Sequence, residues 1–242
     1  MDTPVEYISS YVAERPDRRI GLAGVDPTDA VEAMDRTREA VSSGLAGIVV
    51  RPGACQFRPT DSRAMPVFEL CAQHDMLVMV DEGDELALGA QLEFARPGLL
   101  DELCRDLPGL RLIIGHMATP LVDETIALLL RHRQVLADLA GLLRRPWTAY
   151  NALVKAMEHG VEGQILFGSD YPFLTPKAAI ENLFSLNQMT TNTQMPGLPR
   201  EALRAILERN VMTALGPRAE ALRPPEPSPA AAAAGAPTED SP

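Results

Sequence analysis

The constraint that bears hardest on this chain is the alternation, along most of its length, of short apolar runs with helix-patterned stretches. The runs are Ile20–Val25, Gly47–Val50, Leu77–Val80, Leu112–Gly115, Val135–Leu139 and Ile165–Gly168. Most are apolar at nearly every position, which marks strands covered on both faces. Between them, Ile126, Leu129 and Leu130 share one helical face, as do Leu203, Ile206 and Leu207. Pro199 ahead of Glu201 suits the first turn of a helix, and Gly216-Pro217 suits its stop. Strand and helix in alternation, with crossovers of roughly 20 to 30 residues, predict right-handed βαβ units and a parallel sheet. The pattern alone leaves two architectures standing, a closed (β/α) barrel and an open doubly wound sheet.

The length available to that pattern is less than the full 242 residues. From Pro217 to Pro242 the chain is mostly proline and alanine, and seven of its 21 prolines fall there. Such a segment buries too little apolar surface to offset the entropy of ordering it. The reading is therefore a globular domain over residues 1–216 and a disordered tail over 217–242. The 33 acidic residues against 22 Lys and Arg give a net charge of -11, which argues against nucleic acid as a partner. No apolar run approaches the roughly 20 residues that span a bilayer, and the start Met1-Asp2-Thr3-Pro4 lacks the features of a secretory signal. Cys55, Cys71 and Cys104 form no CxxC pair and leave an odd thiol, so no disulfide framework is expected. A cytoplasmic protein with a small-molecule substrate, and neither a membrane nor a nucleic acid partner, is the expectation.

Chemistry gathers where such sheets place it, at the carboxyl ends of strands. Four of the six runs end in a reactive group: Arg51, Asp81-Glu82, His116 and Ser169-Asp170. No Gly-rich phosphate loop is present, because Gly21-Leu22-Ala23-Gly24 lacks the spacing and lies within a strand. Carboxylates and a histidine brought from distant strands point to a metal or proton-transfer site.

Four segments resemble the amidohydrolase-related metal-dependent barrels, the group that includes aromatic-acid decarboxylases. Arg19 to Pro27 resembles that family's third strand. Ala95-Arg96-Pro97 with Leu107 to Met117 resembles its sixth strand and approach, and Val135 to Gly141 its seventh. Phe167-Gly168-Ser169-Asp170-Tyr171-Pro172-Phe173, with Glu208-Arg209-Asn210 downstream, resembles its eighth strand and final helix. The resemblance implies a TIM-barrel-like (β/α) fold, incomplete with about six parallel strands, since the family's first two strands have no counterpart. It also implies a divalent metal, usually zinc, held by an HxH pair on the first strand, a fifth-strand histidine and an eighth-strand aspartate. His116 and Asp170 match the sixth-strand histidine and the eighth-strand aspartate. No HxH occurs in the chain, and Asp81 stands at the fifth-strand position.

On this resemblance Asp170 would be the general base and His116 would stabilise oxyanion charge or ligate the ion, with Arg51 and Arg96 contacting a substrate carboxylate. Asp81, His116 and Asp170 would supply three metal ligands, and a carboxylate-rich set favours magnesium or manganese over zinc. Against a metal, Arg51 ends a neighbouring strand, and an Arg51–Asp81 ion pair in the vacated pocket is slightly favoured. The implied function is a metal-dependent hydrolase or decarboxylase of a small organic acid. The alternative is a degenerate, catalytically silent barrel remnant without metal that binds a small molecule or protein. A third reading, set beside these two, places the missing strands and their HxH upstream of a misassigned start. A six-strand remnant leaves two parallel edges, to be covered by an N-terminal helix (about Val5 to Glu14) or paired in a homodimer.

Overall fold

The alternation folds as strand and helix in turn. The computed structural model describes residues 3–81 and 90–222. Helix α1 (Val5–Ala13) leads to β1 (Leu22–Gly24), α2 (Ala30–Ser42), β2 (Gly47–Val50), the single turn α3 (Pro52–Cys55) and α4 (Met65–Gln73). Then come β3 (Leu77–Val80), α5 (Leu100–Asp106), β4 (Arg111–Ile114), α6 (Val122–Arg131), β5 (Val135–Asp138) and α7 (Pro146–Glu158). The chain continues with β6 (Ile165–Leu166), α8 (Pro176–Ser185), α9 (Arg200–Leu207), α10 (Val211–Leu215) and α11 (Pro217–Ala221). Local chemistry sets many of the helix starts. Asp29 accepts from the Val31 and Glu32 N–H groups at the head of α2, and proline opens α3, α4, α7, α8 and α11, where a missing N–H costs nothing.

The six strands form one parallel sheet in the order β1-β2-β3-β4-β5-β6, without pairing between β1 and β6. This is the incomplete six-strand (β/α) arrangement, with both edges unpaired among the described residues. Alternate strand residues serve two cores. Ala23, Ile48, Val50, Val78, Leu112, Ile114, Val135, Ala137 and Ile165 are buried beneath the helices. The opposite face carries Leu77, Ile113, Leu136 and Leu166, which pack with Leu215 and Ala219 of α10 and α11. The two C-terminal helices therefore cover the inner face toward the amino ends of the strands.

That cover departs from the expected tail. Gly216, at φ 102, stops α10, but Pro217 opens α11 instead of ending structure. Arg218 donates to the carbonyls of Leu45 (2.7 Å), Val41 (2.8 Å) and His74 (3.4 Å), tying α11 to the ends of α2 and α4. Residues 223–242 of the predicted tail lie outside the described residues. Two smaller differences follow from packing. Leu130 is exposed, because α6 buries Thr125, Ile126, Leu128 and Leu129. The β1, β5 and β6 ladders are shorter than the apolar runs that announced them. Helix α1 seats Ile8 and Val12 where a Cβ on Gly21 would fall, so it lies against the approach to the edge strand β1.

Candidate active site

Strand register determines which polar groups meet. Val50, Val80, Ile114 and Ala137 are partners across β2 to β5, so the next residue along each strand forms an inner-face row of Arg51, Asp81, Gly115 and Asp138. The row lies at the carboxyl ends, where parallel sheets expose side chains beyond the packed core. Its most consequential member is the one without a side chain. A Cβ on Gly115 would lie 3.1 Å from the Asp81 carboxyl group, so glycine leaves the space that the Asp81 carboxylate occupies. Asp81 meets His116 there, Oδ1 to Nε2 at 3.3 Å. The Arg51–Asp81 ion pair favoured from the sequence is not formed among the described residues; Arg51 Nε is buried without a hydrogen-bond partner. Glu82 lies outside the described residues.

His116 is held from every side. It sits in a run of left-handed backbone with Met117 and Ala118 (φ 53, 49 and 49), a conformation that costs roughly 1 kcal/mol or more per non-glycine residue. Hydrogen bonds hold the turn. The His116 N–H donates to Asp138 Oδ1 at 3.0 Å, Thr119 Oγ1 donates to the His116 carbonyl, and Thr125 Oγ1 donates to the Met117 carbonyl. The ring Nδ1 donates to the Ala140 carbonyl at 2.7 Å, which places its proton there because a carbonyl only accepts. Burial opposes the charged ring. The hydrogen bond to Asp81, the charges of Asp138 and Asp81, and the Ala140 carbonyl outweigh it and raise the imidazole to about 9. His116 is thus an imidazolium at neutral pH.

Asp138 is the residue that sequence reasoning missed, because it was read as the interior of a strand. Burial raises its carboxyl to about 6, against the opposing pull of His116 and of the N–H groups of His116 and Ala140. The signal was available: one aspartate interrupts the apolar run Val135-Leu136-Ala137-Asp138-Leu139, and a buried carboxylate implies donors around it.

Asp170 lies apart from this group in its contacts. At φ 59 after β6, its carboxylate pairs with Arg144, Nη2 to Oδ2 at 3.4 Å. Arg144 also lies over the ring of Phe173. Arg96 is drawn elsewhere too, donating through Nε (3.0 Å) and Nη2 to Glu124 at the head of α6. Of the expected site residues, the fold brings Asp81 and His116 into contact and places Arg51 in the row beside them. Asp170 and Arg96 each have other partners.

These contacts do not suit a divalent ion. Both His116 ring nitrogens are engaged, Asp170 is held by Arg144, and no three His, Cys, Asp or Glu among the described residues are grouped to hold a metal. What the arrangement does offer is a cleft of about 480 Å³, lined by Thr3, Ile8, Leu22, Gly24, Arg36, Val49, Arg51 and Asp81. That volume is in the range of small-ligand sites. A second, more enclosed crevice near Phe94 and Arg96 has only about 10 Å³, room for roughly one water.

A parallel α/β arc with polar groups gathered at its strand ends defines a (β/α)-barrel type of protein. The chain belongs to the amidohydrolase family, whose profile matches residues 5–216. No curated protein matches it. Among solved structures it is similar to an uncharacterized TIM-barrel protein from Bordetella bronchiseptica, with a TM-score of 0.71 and 20% identity over 90% of this chain and 73% of that one. It is also similar to a dihydroxybenzoic acid decarboxylase from Polaromonas sp. with bound manganese and the inhibitor 2-nitroresorcinol (TM-score 0.64, 17% identity, 87% and 73% covered). A third is a probable 2-pyrone-4,6-dicarboxylic acid hydrolase from Acinetobacter baumannii with citric acid bound (TM-score 0.57, 16% identity, 87% and 78% covered). At these identities the likeness establishes the fold. Among the described residues no helix is long and apolar enough to cross a membrane.

Proposed function

We propose that this protein acts on a small organic acid, by hydrolysis or decarboxylation, in the inner-face cleft at the strand ends. The observation that carries the reading is the Arg51 side chain in the cleft wall beside Asp81 of the Asp81–His116 pair, with no ion-pair partner among the described residues. A guanidinium is always charged and matches a carboxylate with two parallel N–H donors. A ligand acid would give Arg51 the acceptor it lacks. His116, oriented by Asp81 and the Ala140 carbonyl, would be the proton donor only after Nε2 exchanges its Asp81 partner for substrate, donating to a leaving group in hydrolysis or to the carbon that loses CO₂ in decarboxylation. Asp170 would act as general base only after exchanging its Arg144 partner, and Arg96 would bind substrate only after releasing Glu124.

Family resemblance suggests zinc, and the decarboxylase neighbour contains manganese. The contacts of Asp81, His116 and Asp170 support neither, so no step is assigned to a metal. The same contacts favour a second reading, a binding module for a small acid that has lost catalysis. The test uses purified full-length protein and a panel of small organic acids, with affinity from calorimetry, turnover from product or CO₂ release, and metal from elemental analysis. Binding that Arg51→Met weakens about 10- to 100-fold, the range expected for lost charge-assisted hydrogen bonds, supports the cleft. Turnover lost in His116→Asn separates enzyme from binding module. Stoichiometric metal that is lost in Asp170→Ala would overturn the metal-free arrangement. The two unjoined sheet edges further support a homodimer, which light scattering would detect as twice the chain mass.

A further inference from the structure

The outer wall of the cleft is built by the N-terminal segment, and one side chain ties that wall to the sheet. Thr3 and Ile8 face Leu22, Gly24, Val49, Arg51 and Asp81 across the cavity. Arg36, from α2, donates through Nε to the carbonyl of Gly24 on the edge strand β1 and through Nη2 to the carbonyl of Thr3. These bonds hold its guanidinium at the mouth of the cleft. Arg36 borders an outer groove with Asp29, Glu32, Asp35 and Glu39, yet none of these carboxylates pairs with it. Asp29 caps α2 and Asp35 pairs with Arg38. Nη1 of Arg36 has no hydrogen bond among the described residues. The cleft lining thus contains two guanidinium groups and one carboxylate, Asp81, which is already bonded to His116. Within the cleft lining the guanidinium groups outnumber the carboxylates, while the acidic side chains of α2 border Arg36 in the outer groove.

We propose that Arg36 is a second anion anchor of this cleft, so that the site selects short acids carrying two carboxylates over acids carrying one. Arg51 takes one carboxylate in the strand-end row, and Arg36 takes the other at the mouth through its remaining donors. Leu22, Val49 and Ile8 line the apolar middle. The proposal rests on the acid-binding reading of the cleft and adds to it the number of charges that the ligand carries.

Calorimetric titration of the full-length protein with succinate and with butyrate, which share a four-carbon chain, tests it. Succinate should bind about tenfold tighter or better, because one further charge-assisted contact is gained. Arg36→Gln keeps an amide donor for the Gly24 or Thr3 carbonyl but removes the charge. It should abolish the preference and leave butyrate affinity within about twofold. Thr3→Glu, at an exposed position, should abolish it as well, by supplying Arg36 with a carboxylate from the chain itself. That second variant decides the matter if Arg36→Gln does not fold. Equal affinity for the two acids in the wild type, or a preference that survives in these variants, would overturn the role of Arg36 while leaving Arg51-dependent acid binding intact. Failure of both acids to bind, or no effect of Arg51→Met, would overturn the underlying reading along with it.

Discussion

Replacing Asp81 by asparagine should flatten the alkaline side of the protein's stability profile. His116 is raised from its ordinary 6.5 to about 9 in the folded chain, and the Asp81 hydrogen bond is the largest of the contributions that raise it. Each tenfold change in proton affinity corresponds to about 1.4 kcal/mol, so the folded environment of His116 contributes about 3 kcal/mol. A histidine whose folded pKa is raised contributes that stability in full below pH 6.5 and loses it as pH rises toward 9. The window closes there, since the buried thiols of Cys71 and Cys104, pushed up to about 12, remain neutral while their unfolded counterparts begin to ionise. For a domain of this size, about 3 kcal/mol corresponds to a fall in Tm of roughly 6 to 12 °C between pH 6.5 and 9. Asparagine keeps an oxygen near Nε2 but removes the charge, so about half of that fall should disappear. Scanning calorimetry at half-unit pH steps and constant ionic strength measures both slopes. Equal slopes in wild type and Asp81→Asn would refute the assignment of His116's proton to the Asp81 contact.

Two further substitutions probe the supports of the site. Gly115→Ala would place a Cβ 3.1 Å from the Asp81 carboxyl group. It should cost about 1–2 kcal/mol in urea unfolding and reproduce the flattened alkaline profile; a silent substitution would mean that the close approach is not needed. Arg218→Ala removes donors from three carbonyls at the ends of α2, α4 and the β2 approach. It should lower stability by about 2–3 kcal/mol, and a chain ended at Gly216 should lose at least as much by uncovering Leu136 and Leu166. An unchanged unfolding midpoint in the shortened chain would show that α11 contributes nothing to the inner-face core.

Much of the architecture was legible because βαβ physics is local and repetitive. Six apolar runs between amphipathic stretches allow little besides a parallel sheet, and all six became strands in sequential order. The helix starts at Asp29 and at the prolines were legible for the same reason, since a cap depends on neighbours in the chain. The candidate site was legible as a set of strand-end residues and illegible as a set of contacts. Arg51 and Asp81 do stand side by side in the register, so their predicted ion pair was geometrically reasonable. It gave way because Gly115, one strand further on, leaves space on the other side of Asp81, where His116 waits in a left-handed turn. No pattern along the chain reports that competition.

The sequence by itself determined the strands, their order, the family and the absence of an HxH pair, because these depend on periodicity and residue type. Tertiary structure alone decided which charge meets which. It bound Asp81 to His116 instead of Arg51, held Asp170 with Arg144, placed Asp138 beneath the histidine turn, and folded the first residues of a proline-rich segment into the cover of the inner face. Electrostatic partners are chosen by distances of a few ångströms between residues tens of positions apart, and those distances exist only once the sheet has set its register.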